Sequence, residues 1–170
     1  MAINTKMEEA FNDQINKEYY SAYLYLLMKA RFAEMGLEGF VNWFDIQVQE
    51  ETAHAKGMYD YVLERGGHIE LGAIDRPVIE GTTPLDIFRQ VLEHEEYVTS
   101  RINAVADVAD EVKDRAALIF LNWYIKEQVE EEASVGGILS KLELIGDDKQ
   151  GLLSLDKELS ARVFNPPVIG

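Results

Sequence analysis

Apolar side chains recur along this chain in four long runs, each stepping alternately by three and four residues. The first run is Met7, Phe11, Gln14, Glu18, Ser21, Tyr25, Met28 and Phe32. The second is Phe40, Phe44, Gln47, Glu51, His54, Met58 and Tyr61. The third is Phe88, Val91, Glu95, Val98, Ile102, Val105, Ala109 and Val112, and the fourth is Leu121, Tyr124, Gln128, Glu131, Val135, Ile138 and Leu142. Such steps keep every member of a run on one face of a helix. Four helices with one apolar face each bury those faces against one another as a bundle. Each stripe is broken near its middle by polar side chains. The bundle therefore brings Glu18, Glu51, His54, Glu95, Gln128 and Glu131 together inside it, at about one height.

Local signals mark the ends of the helices. The first helix is expected over residues 5–35, stopping near Gly36, and the second over 39–65, ended by Gly66-Gly67. Thr83-Pro84, with Asp86 in the first turn, restarts a helix that runs to about 111. Asp114 caps a fourth helix lasting until Ile145-Gly146. LLSLDKELSARVF predicts a short fifth helix around 150–162, and the tail NPPVIG is not helical. Short links make the first and last pairs of long helices antiparallel. The Gly-rich connection over 66–83 reaches up to about 60 Å when extended. A helix of the second one's length covers only about 39 Å. The connection can therefore cross the whole bundle and leave the second and third helices parallel. The fold expected is all-α: a four-helix bundle with a long crossover and a short fifth helix, one domain over residues 1–170.

Charge sharpens the polar layer. Ionised carboxylates in a dry core cost several kcal/mol each unless compensated. Four of them interrupt the stripes, and no Lys or Arg stands on any stripe. A bound cation is the simplest compensation. Glu51-x-x-His54 places a carboxylate and an imidazole on adjacent turns of one face, the ligand spacing of di-iron carboxylate bundles, in which two other helices add one Glu each. Glu18 and Glu95 suit those two roles, and Glu51 is the natural bridge between two ions. Oxygen and nitrogen ligands without sulfur suit Fe, Mn or Zn, and so many acids favour the harder ions. One E-x-x-H pair is common by chance; four interruptions at matching heights are not.

Composition narrows the function further. The chain has 170 residues, 47% of them hydrophobic, enough for a sizeable core. Its net charge of −15 repels nucleic acid and anionic membrane and concentrates cations. It has no cysteine, which excludes disulfides, thiolate metal sites and cysteine nucleophiles. The start, MAINTKMEEAFND, lacks the apolar core of a signal peptide, and no stretch approaches a membrane span. A cytoplasmic protein without nucleic-acid or membrane partners is expected.

Four segments carry a family resemblance: KEYYSAYLY around Glu18, QEETAHAKGMYDYV around Glu51 and His54, LEHEEYVTSRIN around Glu95, and LNWYIKEQVEEE in the fourth helix. Together they resemble the non-haem ferritins of bacteria and archaea, over nearly the whole chain. The resemblance implies that Glu18, Glu51 and His54 hold one iron, and that Glu51, Glu95 and Glu131 hold a second, with Gln128 nearby. It makes Tyr25 the tyrosine beside the ferroxidase centre and matches Glu50, Glu127 and Glu130 to a third iron site. It implies oxidation of Fe(II) by dioxygen or hydrogen peroxide and storage as a ferric mineral inside a shell of 24 subunits.

Departures from neighbouring families matter too. A bacterioferritin would carry a second Glu-x-x-His in the fourth helix and a haem-binding Met where this chain has Thr52, so no haem is expected. A rubrerythrin would add paired cysteines. Mini-ferritins of the starvation type place their metal between subunits with another motif. His94 points about 100° from Glu95 and reads as surface or interface; His68 has no identifiable partner. The alternatives are a di-iron oxidase or peroxidase that stores nothing, and an acidic helical module whose polar layer only fixes bundle register.

Overall fold

The computed structural model describes residues 2–169 and contains α1 (Thr5–Met35), α2 (Glu38–Glu64), α3 (Pro84–Glu111), α4 (Arg115–Ile145) and α5 (Lys149–Leu159), with no strand among the described residues. The caps follow the expected chemistry. Asn4 accepts from the Lys6 amide at α1, and Thr83 and Asp86 form a reciprocal capping box at α3, with Pro84 in the first turn. Gly36, at φ 73°, ends α1 in the left-handed conformation that glycine reaches without strain. Asp114 caps α4 and holds Arg65 at 2.9 Å, which ties the end of α2 to the start of α4.

The crossover runs along α1. The His68 amide donates to Glu8 at 2.8 Å, the Glu70 amide to Asn12 at 3.0 Å, and Asn16 donates to the Ala73 carbonyl at 3.0 Å. Those α1 partners are met in ascending order, so the connection travels from the N-terminal towards the C-terminal end of α1. It delivers the chain to Thr83 near the C-terminal end of α1, where Phe88 of α3 packs on Phe32, and α2 and α3 run parallel as expected.

The fifth helix ends three residues sooner than its sequence suggests. Asn42 on α2 donates to the carbonyls of Leu159 and Arg162, at 3.2 and 3.0 Å. These bonds give the last turn acceptors' partners outside the helix and turn the chain away. In return α5 completes α2, whose own N-cap position, Leu37, has no capping side chain. Asp156 Oδ1 accepts from the amides of Gly39 and Phe40, at 2.8 and 3.0 Å. A Cβ on Gly39 would meet the Asp156 carbonyl oxygen at 1.6 Å, so only glycine admits this approach.

The apolar core is in two parts. One is aromatic, with Phe32 stacked on Phe40 and Phe44, and Phe88, Trp43, Val91, Ile138 and Leu155 around them. The other, nearer the α1 N-terminus, gathers Met7, Phe11, Ile15, Met58, Ile102, Val105 and Leu121. The polar residues of the four stripes lie in sequence between these two clusters. Among the described residues, no helix is long and apolar enough to cross a membrane.

Candidate metal centre

The six stripe-breaking residues are all inside: Glu18, Glu51, His54, Glu95, Gln128 and Glu131 are at most 5% exposed, and no Lys or Arg is among the buried side chains described. That burial decides against six solvated helix-face residues.

Glu18, Glu51 and His54 form the tightest part. One potential ligand atom from each lies within 4.8 Å of the others, the one such group among the described residues. His54 Nδ1 faces both carboxylates, 3.9 Å from Glu18 and 3.7 Å from Glu51. Glu51 Oε2 and His54 Nε2 are buried without a hydrogen-bond partner. Orphaned buried acceptors are rare because each forfeits its hydration without return. The separations of His54 Nδ1 from Glu18 and Glu51, 3.9 and 3.7 Å, are too long for hydrogen bonds but within the roughly 4.2 Å that two oxygen or nitrogen donors can span around one first-row ion, so the three residues fit a divalent cation.

Glu95 and Glu131 face the same layer from α3 and α4, outside that tight triple. Glu95 accepts from the Tyr25 hydroxyl on one oxygen and from Gln128 Nε2 on the other, at 3.2 Å. Gln128 also donates to the Glu95 carbonyl and to Thr99, so its amide nitrogen is turned to α3. Glu131 accepts from Gln47 Nε2 at 3.1 Å, and Glu18 from Gln14 Nε2 at 2.7 Å.

Electrostatics registers the missing counter-charge. Burial first, then the neighbouring Glu95, Glu18 and Glu131, holds the Glu51 carboxyl well above the usual carboxylate range. Burial lifts Glu95 to about 7 against the bonds from Tyr25 and Gln128. Glu131 is lifted to about 8 by burial and then by Glu95 and Glu50. Burial and then the Glu95 charge also raise the Tyr25 phenol well above its ordinary value. The raised carboxyl groups favour proton uptake near neutral pH in the absence of another positive charge.

The remaining acids lie at the rim. Glu50 and Glu127 are half-buried, and Glu130 is exposed. Glu50 is already paired, with Arg162 Nη2 at 2.7 Å. Burial raises the Glu50 carboxyl, while Arg162 pulls it back.

Several supporting residues were less visible in the sequence. Gln14 and Gln47 break the stripes one turn before Glu18 and Glu51, a signal that marked them as polar without revealing their targets. Tyr124 donates to the His54 carbonyl at 2.9 Å, and Trp123 stands edge-on to the His54 ring at 5.4 Å. His94, expected at the surface or an interface, is only partly exposed. It tucks against Tyr20 and Tyr25, with Nε2 2.8 Å from Ser21 Oγ, because the small Ser21 leaves room for an imidazole. Burial lowers it to about 4, so it is neutral at pH 7. His68 offers only backbone atoms to its neighbours: its carbonyl accepts from Asn12 and its amide donates to Glu8.

Fold and site together define a four-helix-bundle carboxylate–histidine metalloprotein. The ferritin-like domain model matches residues 8–145. The chain is 39% identical to the bacterial non-heme ferritin of Staphylococcus aureus over 163 residues, 96% of this chain and 98% of that one. It is 40% identical to that of Bacteroides fragilis, over 94% of this chain and 99% of the relative. The open-pore ferritin of the archaeon Archaeoglobus fulgidus superposes with a TM-score of 0.93 at 53% identity, over 95% of this chain and all of that one. A closed form of it engineered by mutagenesis gives 0.94 at 52%, over 96% of this chain and all of that one. The chain belongs to the ferritin family.

Proposed function

We propose that this ferritin oxidises Fe(II) in the buried layer and keeps the product as a ferric mineral inside a shell of identical subunits, 24 in number. The observation that carries the reading is the layer itself: four carboxylates and an imidazole, buried, with no cationic side chain among them and with Glu51 Oε2 and His54 Nε2 lacking hydrogen-bond partners. The names of the relatives support it independently.

Iron is the substrate. Glu18, Glu51 and His54 take one Fe(II); Glu51, Glu95 and Glu131 take the second, with Glu51 shared. Gln128 and Tyr25 hold the Glu95 carboxylate, and Gln14 and Gln47 hold Glu18 and Glu131. Glu50, Glu127 and Glu130 are the candidate third position. Carboxylates stabilise Fe(III) over Fe(II), so the layer favours loss of an electron from each ion. Two electrons delivered together reduce dioxygen to hydrogen peroxide, or peroxide to two waters, each with uptake of two protons. The shell reading draws on surface chemistry as well: Tyr23, Leu26, Leu71, Ile74 and Val78, on α1 and the crossover, are large apolar side chains left exposed on one subunit.

The test is anaerobic addition of Fe(II) to the metal-free protein, then air, following ferric absorbance together with particle size. Fast oxidation of two to three ions per subunit on a large particle that retains further iron in solution is the expected result. A small particle that precipitates excess iron would instead mark a di-iron oxidase without storage. Oxidation at the buffer rate would end the reading.

A further inference from the structure

The His54 ring is held in an unusual way for a metal ligand. Its Nδ1 faces Glu18 and Glu51, at 3.9 and 3.7 Å, and is the nitrogen turned to the centre of that triple. The other nitrogen, Nε2, is buried and meets no hydrogen-bond partner in the protein. Ligating imidazoles ordinarily donate that second N–H to a carboxylate, a backbone carbonyl or water, and the bond sets the orientation of the ring. His54 has aromatic walls in that role. The Trp123 and Tyr124 rings stand steeply across it, at 69° and 76°, with centroids 5.4 and 6.0 Å away. They also pack edge-on against each other at 4.9 Å.

Of the two walls, Tyr124 is pinned. Its hydroxyl donates to the His54 carbonyl at 2.9 Å, so the ring flanking the imidazole is tied to the backbone of that same residue. Tyr124 is 2% exposed and has no room to swing into solvent. Gly57 makes the approach possible. A helix carbonyl points towards the C-terminus, so the oxygen of His54 emerges beside the next turn, where Gly57 stands three residues on. A Cβ at Gly57 would lie 2.5 Å from the Tyr124 hydroxyl and 2.7 Å from Ile169 Cδ1. Contacts so short force something to move. Ile169 is a partly buried side chain on the C-terminal segment and can yield. The enclosed phenol can yield only by giving up its bond.

We propose that the Tyr124 hydroxyl, seated in the gap that Gly57 leaves on α2, is the latch that orients the His54 ring for the first ion. Tyr124 and Gly57 are positioning residues: they act through His54 and belong to neither ligand set. The proposal rests on the reading of the buried layer as an iron site, and the test separates the two.

The experiment is anaerobic titration of the assembled, metal-free protein with Co(II), whose visible absorption reports ligand geometry and whose binding does not depend on oxidation. Wild type is expected to take a first ion tightly with a spectrum that includes a nitrogen ligand. Y124F keeps the wall and removes the latch. It should weaken the first ion about tenfold, the lower end of the range for partners behind ligands, and shift its absorption bands while sparing the second. G57A should do the same from the other side of the contact. I169A/G57A should remain weakened, because relieving the Ile169 contact does not restore the hydroxyl's place. Y124F/G57A should be no worse than Y124F alone, since the groups act through one bond and their effects do not add. If G57A fails to assemble, Y124F, which changes no volume in the core beyond one oxygen, carries the test. A Y124F protein with wild-type affinity and spectrum overturns the proposal alone. So do full additivity in Y124F/G57A, wild-type affinity in I169A/G57A, and an equal weakening of both ions, which marks a merely structural role. A wild-type protein that takes no ion tightly overturns the iron-site reading, and this proposal with it.

Discussion

Two groups of acids lie a few side chains apart in the same slice of this bundle, and they are treated oppositely. Around Glu51 the protein buries carboxylates with an imidazole, provides only amides and a phenol as donors, and leaves Glu51 Oε2 and His54 Nε2 without partners. Around Glu50 it supplies its own cation, Arg162. The first group has no cationic side chain of its own; the second has Arg162. Buried acids without a protein counter-charge mark the group suited to bind a cation; the acid at the rim has its charge partner within the chain.

The sharpest way to break the contrast is Glu51→Gln. If Glu51 is the shared ligand proposed above, oxidation of Fe(II) should fall about 100-fold or more, beyond the 10–100-fold typical of the partners behind ligands. The metal-free protein should meanwhile become more stable, because a buried, uncompensated acid has been removed. An E51Q protein that oxidises iron at the wild-type rate would dissolve the distinction between the two groups.

A second test uses pH. Glu95 and Glu131 are raised in the folded state, to about 7 and about 8, from a usual 4.5. The folded protein therefore holds more protons than the unfolded chain between pH 4.5 and 8. Their contribution to stability is full below about pH 4.5 and is lost as pH rises through 7 and then 8. The melting temperature of the metal-free protein should fall across that window, by on the order of 10 °C. Glu131→Gln should flatten the slope. Zn(II) should reverse the fall, adding about 2.7 kcal/mol at 100 times its dissociation constant. A melting temperature that climbs from pH 5 to 8 in the metal-free protein would count against proton uptake by the buried carboxyl groups.

Smaller effects concern the supports. Gln14→Leu leaves Glu18 without its 2.7 Å donor and should weaken the first metal equivalent about tenfold, measurable by competition with a chelator. Unchanged affinity would make Gln14 packing only. Asp156→Ala removes the cap that α5 lends to α2, costing about 1–2 kcal/mol, a few degrees in melting temperature. It should spare the two buried ion positions while loosening the segment that carries Arg162. A loss of the first two ions in D156A would mean that α5 supports the buried layer as well as the rim.

The long helices, the caps of α3 and α4 and the height of the polar layer were readable from the chain because they are local, whereas the cap of α2 comes from Asp156 on α5. Heptad spacing places Glu18, Glu51, His54, Glu95, Gln128 and Glu131 on inward faces whatever the details of packing, and Thr83-Pro84-x-Asp86 announces a helix start within four residues. The boundary of α5 was misplaced by three residues because what ends it, Asn42, lies more than a hundred residues earlier. The inner contacts of His94 were hidden for a similar reason. Its helical phase points away from Glu95, but Ser21 on another helix opens a niche for it.

What the amino-acid order determined alone, then, was four amphipathic helices, their ends, and a layer of acids that burial would leave without counter-charge. Only the tertiary structure decided which acids have partners: Gln14 for Glu18, Gln47 for Glu131, Tyr25 and Gln128 for Glu95, Arg162 for Glu50, and none for Glu51 Oε2. Helical periodicity is a property of neighbours three and four residues apart. The partner of a given carboxylate is set by side-chain reach across helices distant in sequence, and no local pattern encodes that.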